Sequence, residues 1–298
     1  MTAFSKAPPL PEWLAPSMPF QRWVGPVKGR QVHFVDHGEG PAVLLMHGNP
    51  TWSFLWRKVI PLLEGHRVIA PDLVGLGLSE KLPRPSDHRL AHHIEVVTAL
   101  VEALDLGPLV VVGQDWGGPV AAGVGEGLRD RVRGMVWANT AVVTPRRPLR
   151  TKAFHRFSQL PLVSDAVFRG LNFPVPFLHR AQGDPASIGA FERKAYHWPL
   201  QRRRDRAAPL GLARMVPDTE DHPSTAVMDR VGGWVEGYEG PAALVWGVND
   251  PILGRGLRRH RAALPQATVV ETPAGHFLQE EVPDALAAAI RGVVAAGE

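Results

Sequence analysis

The chain contains no cysteine. That excludes disulfides, thiolate metal sites and a cysteine nucleophile. Tyrosine is nearly absent too: Tyr196 and Tyr238 are the only two in 298 residues. Any chemistry that needs a pair of phenol donors must draw on both. No apolar run approaches the roughly 20 residues of a membrane span. Met1 to Phe20 holds several prolines and no apolar core behind a basic start, so it does not read as a signal peptide. A soluble, cytoplasmic protein with no membrane partner is the expectation.

Several binding motifs are also missing. Gly75-Leu76-Gly77 meets Glu80 where a dinucleotide loop needs a third glycine, and Gly123-Val124-Gly125 fails in the same way at Leu128. Gly113 and Gly118 have phosphate-loop spacing, but Pro119 stands in place of the lysine. There is no His-Glu-x-x-His, and His88, His92 and His93 read as surface or packing residues. Neither a metal nor a cofactor is expected.

What is present is ordinary for a folded domain: 45% hydrophobic and 21% charged residues. The length suits one large domain carrying a sizeable insertion. The net charge is +4, with arginines recurring from Arg146 to Arg214, including Arg202-Arg203-Arg204. A basic balance can attract an anionic partner. No recognition motif or aromatic interleaving accompanies it, so a solvated helical face is expected and nucleic acid is not.

Short apolar runs mark buried strands: 42–46, 67–70, 109–112, 134–137, 242–246 and an apparent last strand at 268–270. Continuous apolar strands are those buried on both faces, as in a parallel sheet covered by helices. Helical spacing runs from Ala91 to Leu106, ending at Gly107-Pro108, and again from Asp284 to Val294. Alternation from Arg30 to Val35 predicts an antiparallel strand. The strand–helix rhythm breaks from about Thr144 to Thr225. The fold class expected is therefore α/β, with a core domain of residues 1–143 and 226–298 and a helical cap of 144–225.

The chemistry centres on Gly113-Gln114-Asp115-Trp116-Gly117-Gly118, between a predicted strand and a predicted helix. This is the context of a nucleophile elbow, whose central residue sits in a strained backbone conformation relieved by small neighbours two positions away. Aspartate takes the place usual for serine. With a reference pKa of about 3.9 it is ionised at neutral pH and needs no base for its first attack. It can displace a leaving group from an sp³ carbon and form an ester, and a base is then needed only to activate water. Alone, the segment also fits an aspartate capping the next helix.

Further motifs favour catalysis. Met46-His47-Gly48-Asn49-Pro50-Thr51-Trp52 follows a strand and offers backbone N–H donors at Asn49 and, across the site, Trp116. Asp250 lies at the end of another strand, in a sequence that also fits turn chemistry. His276 follows the last strand. The order Asp115, Asp250, His276 is the nucleophile–acid–histidine order of the α/β-hydrolase fold.

His47 to Arg57, Pro71 to Lys81 and Gly113 to Gly118 together resemble haloalkane dehalogenases, and Asp250 and His276 sit in matching contexts. The resemblance covers most of the sheet domain and is weak in the cap. It implies a mostly parallel central sheet with an inserted helical cap. It also implies a halogenated organic substrate, water as co-substrate, and a halide held by Trp116 and Asn49. Some members carry a Glu after the strand that ends here in Ala138-Asn139-Thr140, and others carry an Asp one strand later. Asn139 cannot serve as a carboxylate, so Asp250 is the expected third acid. Asn49 with Asp250 resembles the third subfamily. Candidate pocket walls are Phe54, Phe154, Phe157, Phe168, Phe173, Phe177, Trp198 and Phe277, each of which also fits a packing role. Two alternatives remain at this point: an epoxide hydrolase with the same nucleophile, and a non-catalytic binder of a small ligand.

Overall fold

The computed structural model describes residues 4–144 and 153–298. Residues 145–152 of the expected cap, including Arg146, lie outside them. A nine-stranded sheet forms the centre, in the spatial order β1-β2-β3-β5-β4-β6-β7-β8-β9. The strands are β1 (Ser5–Lys6), β2 (Arg22–Val27), β3 (Arg30–His37), β4 (Ala42–Met46), β5 (Arg67–Pro71), β6 (Leu109–Asp115), β7 (Val132–Thr140), β8 (Ala242–Gly247) and β9 (Thr268–Thr272). The first three pair antiparallel, and β3 also runs antiparallel to β5. From β5 to β9 all neighbours are parallel. Every predicted strand is present, most of them longer than the apolar run that marked them. Strands β1 and β2 have no such run. Gly25-Pro26 interrupts the alternation in β2, and proline is tolerated there because the strand lies near the sheet edge.

The continuous apolar runs follow from burial on two sides. In β4, Leu44 and Met46 join one core cluster while Val43 and Leu45 join the other. In β6, Leu109 and Val111 face the first cluster, Val110 and Val112 the second. Each face therefore takes alternate residues, and both are dry. Each fully buried side chain of this kind contributes about 1.5–3 kcal/mol.

The helices are α1 (Leu90–Ala103), α2 (Gly117–Gly127), α3 (Ala153–Ser158), α4 (Val163–Asp165), α5 (Ala190–His197), α6 (Ala207–Arg214), α7 (Thr225–Glu236), α8 (Leu257–Ala263), α9 (Leu278–Glu281) and α10 (Pro283–Gly297). Residues of α1, α2, α7 and α8 fill the first cluster, and α10 fills the second. Between β7 and β8 the described residues form helices and short helical turns and no strand. No described helix is long and apolar enough to cross a membrane.

Candidate active site

The functional side chains collect at the carboxyl ends of the parallel strands. Asp115 is the last residue of β6, and α2 begins two positions later. Its φ of 51° lies in the left-handed region, as the elbow reading requires. That conformation costs a non-glycine residue about 1–3 kcal/mol and persists only where the surroundings enforce it. Here the enforcement is visible. A Cβ on Gly117 would collide with the Met46 carbonyl, and one on Gly113 with the backbone of Gly117 and Gly118. Thr140 Oγ1 donates to the Asp115 carbonyl at 2.6 Å.

The loop after β4 meets Asp115. The Asn49 backbone N–H donates to Asp115 Oδ1 at 2.7 Å. The Asn49 side chain donates from Nδ2 to the Pro209 carbonyl on α6 at 3.0 Å, and its Oδ1 is buried with no partner. Trp116 is buried, and neither of its N–H groups has a hydrogen-bond partner among the described residues. His47 braces this loop from beneath. Its Nε2 accepts from the Leu73 N–H at 2.9 Å, which puts its proton on Nδ1, 3.0 Å from the Gly48 carbonyl. Burial lowers its pKa, so the ring is neutral.

Asp72 explains the Pro71 to Lys81 motif. Its carboxylate accepts from the backbone N–H of Ser53 and of Leu78, each at 2.7 Å, and pairs with His33 Nδ1 at 2.9 Å. Burial alone would raise its pKa, but His33 and the Leu78 N–H hold it well below the carboxylate range. Asp72 is a permanent anion that fixes the loop carrying Asn49.

His276 follows β9. Its Nδ1 lies 2.9 Å from Asp250 Oδ2, and its Nε2 lies 3.6 Å from Asp115 Oδ2. Asp250 Oδ1 accepts from the Ile252 N–H at 2.7 Å. Burial alone would lower the pKa of His276, yet the two flanking carboxylates raise it to about 10. Asp115, Asp250 and His276 are thus brought together in the expected order. Asn139 donates from Nδ2 to the Gly275 carbonyl at 2.7 Å and accepts the Gly247 N–H on Oδ1 at 2.9 Å. It ties the loops of His276 and Asp250 and offers no charge.

The cap clasps the same loop. Ala181 accepts the His276 backbone N–H at 2.7 Å, and Gln182 accepts the Phe277 N–H at 2.9 Å while donating to the Phe277 carbonyl at 3.2 Å. A second clasp is built on a buried ion pair of the core. Arg57 makes two hydrogen bonds to buried Glu280, at 2.6 and 2.8 Å, and Tyr196 on α5 donates to Glu280 at 2.6 Å. Gln114, Gln182, Glu280 and Pro209 were not foreseen from sequence. Several of these contacts use backbone atoms, which leave no signature in residue type.

The expected pocket walls divide. The ring of Phe277 meets that of His276 edge-on at 4.7 Å, and Trp198 lies 6.1 Å from Trp52. Phe54 is wholly buried, between Trp52, Tyr196 and the Arg57 guanidinium. Phe157, Phe168 and Phe173 form a cluster with Leu210 and Ala213 of α6, and the exposed Phe154 touches the rings of Phe168 and Phe173. Through Leu210 and Ala213 this group packs against the helix whose Pro209 carbonyl meets Asn49. Phe177 adds to the edge of that group through Phe173. His88 and His93 are buried and stacked on each other, and no group of three or more metal-ligating side chains occurs among the described residues.

Comparison with known proteins identifies the fold and the family. A family model described as the alpha/beta hydrolase fold matches residues 41–175. Haloalkane dehalogenase 2 of Mycobacterium bovis is 38% identical over 278 residues, spanning 91% of this chain and 94% of that protein. The chain belongs to the haloalkane dehalogenase family. A second member, haloalkane dehalogenase of Mycobacterium marinum, is 33% identical over 84% of both chains. Among solved structures, the haloalkane dehalogenase DbeA from Bradyrhizobium elkani superposes with a TM-score of 0.81 at 26% identity, covering 92% of this chain and 99% of that one. The likeness to that structure thus extends over nearly the whole chain.

Proposed function

We propose that the protein hydrolyses haloalkanes to an alcohol and a halide, in the cytoplasm and without a cofactor, through an alkyl ester on Asp115. The observation that carries this reading is the division of the Asp115 carboxylate. Oδ1 is held by the Asn49 N–H at 2.7 Å, while Oδ2 faces His276 Nε2 at 3.6 Å. Oδ2 attacks the carbon bearing the halogen, and the carbon–halogen bond breaks. The side chains of Trp116 and Asn49 receive the leaving halide, since donors aimed at developing charge lower the barrier most. His276, oriented by Asp250, then takes a proton from water as its oxygen attacks the ester carbonyl. The backbone N–H groups of Asn49 and Trp116 hold the oxyanion on Oδ1. The intermediate collapses, the alkoxide takes the proton from His276, and the re-formed carboxylic acid gives its proton to solvent. Asn49 with Asp250 supports a third-subfamily assignment.

The epoxide hydrolase alternative is disfavoured. It needs two phenols at the pocket, and the Tyr196 hydroxyl is engaged with Glu280 while Tyr238 packs against Trp234. Halide release from a panel of bromo- and chloroalkanes is the test, with bromides expected to react faster because bromide is the better leaving group. In the His276→Ala variant, one equivalent of halide and a stable alkyl-enzyme are expected. Absence of that burst would sink the mechanism. Binding across the panel with no halide release would favour the non-catalytic alternative.

A further inference from the structure

Gln114 precedes the nucleophile on β6 and is wholly buried. Its side-chain Nε2 lies 3.1 Å from the His276 backbone carbonyl and 3.2 Å from His276 Nε2. The carbonyl can only accept, so the amide nitrogen and not its oxygen must occupy this side. The Gln114 Oε1 is left buried with no partner. Turning the amide over would not relieve it, because two carbonyl oxygens would then face each other. The two N–H bonds of one amide nitrogen suit the His276 carbonyl and, when the ring is neutral, its Nε2.

This contact opposes everything else around the ring. Asp250 faces Nδ1, Asp115 faces Nε2, and Glu281 holds the adjoining Gly275 N–H at 2.9 Å. These carboxylates favour the imidazolium, whose Nε2 already carries a proton and cannot take one from water. The amide N–H of Gln114 complements the lone pair of the neutral ring and meets the imidazolium donor to donor.

We infer that Gln114 is a positioning residue for the hydrolytic half-reaction, its amide favouring the neutral His276 ring, whose Nε2 carries a lone pair in place of a proton. This rests on the alkyl-ester reading above. Ester formation removes the Asp115 charge, which releases one of the forces holding the proton on His276. The Gln114 amide then tips the ring to its neutral form, and water displaces that amide at Nε2 when it is deprotonated. Alkylation by Asp115 needs no base and is independent of Gln114.

The experiment uses Gln114→Met and Gln114→Glu in the full chain, with 1-bromobutane as substrate. Bromide is followed by rapid quench and the alkyl-enzyme by mass spectrometry, across roughly pH 6 to 10. For Gln114→Met, the bromide burst keeps its wild-type rate constant. Ester hydrolysis slows about tenfold at neutral pH, with its pH midpoint raised by about one unit. Equal slowing of both steps at an unchanged midpoint, or unchanged hydrolysis, overturns the inference. Gln114→Glu covers the case in which methionine prevents folding. Its carboxylate accepts from the imidazolium, so hydrolysis is suppressed at neutral pH and recovers as pH rises. Lack of recovery overturns the inference as well. Absence of alkyl-enzyme and bromide release in the wild type is a separate result, which removes the ester reading and this inference with it.

Discussion

The backbone N–H of Asn49 donates to Asp115 Oδ1 at 2.7 Å, joining the carboxyl ends of β4 and β6. That bond makes the two carboxylate oxygens inequivalent before any substrate arrives. One is committed to a donor and the other is left to attack. The bond uses a backbone atom, so it survives changes to the Asn49 side chain.

This separation gives the first prediction. Asn49→Ala keeps the backbone donor and removes the side-chain donor proposed for the halide. A hydrogen bond to a charged group contributes about 1.5–3 kcal/mol, so carbon–halogen cleavage slows roughly ten- to a hundredfold. Hydrolysis of the ester changes little. Rapid-quench bromide release measures the first step directly, and an unchanged burst rate would remove the Asn49 side chain from the halide site.

The His276 pair of carboxylates sets a second. With its pKa raised to about 10 from 6.5, the ring of the free enzyme stays protonated well above neutrality. Its contribution to stability is fully present below pH about 6.5 and is lost as the pH rises through about 10. Nitrogen-15 resonances of the His276 ring are expected to report both nitrogens protonated at neutral pH. Asp250→Asn shifts that titration downward. A neutral ring in the wild-type free enzyme at neutral pH contradicts the electrostatic account.

Arg57, Glu280 and Tyr196 form a buried latch between core and cap. Tyr196→Phe removes one donor and leaves Glu280 paired with Arg57 and with Lys58 Nζ, 2.9 Å away. The loss expected is about 1 kcal/mol. Arg57→Ala leaves Glu280 short of its main partner in a buried setting, and about 3–5 kcal/mol is expected. Denaturant unfolding of the two variants separates them. Equal small losses would mean that solvent reaches Glu280.

Much of this was legible in the sequence because the physics that shapes it repeats along the chain. Strands β4, β6 and β8 read as apolar runs since both of their faces are buried. Asp115 was marked by Gly113 and Gly117, which the turn needs for steric reasons. Asp250 and His276 follow strands at the sheet end where the nucleophile lies. The aromatic residues are less legible for the converse reason. Phe54 follows the Asn49 loop closely in sequence, and its ring stacks on Trp52 at 5.5 Å. Residue type says that such a ring is buried, not on which side. Pro209 and Ala181 act through carbonyls, which every residue carries.

Gly48 supplies the sharpest steric prediction. It stands between His47, which braces the loop, and Asn49, whose N–H holds the nucleophile. A Cβ at this position would collide with the carboxylate of Asp115. The backbone of Gly48 does not require a left-handed conformation, so alanine meets no intrinsic strain there. The nearest atoms in conflict all belong to Asp115. Gly48→Ala must displace either the Asn49 loop or the Asp115 side chain, and both disrupt the 2.7 Å contact. A misplacement of this order costs roughly a hundredfold in rate, while overpacking costs about 1–3 kcal/mol of stability. The variant therefore folds but forms alkyl-enzyme slowly. A wild-type burst in Gly48→Ala would show that the Asn49–Asp115 contact is not needed for attack.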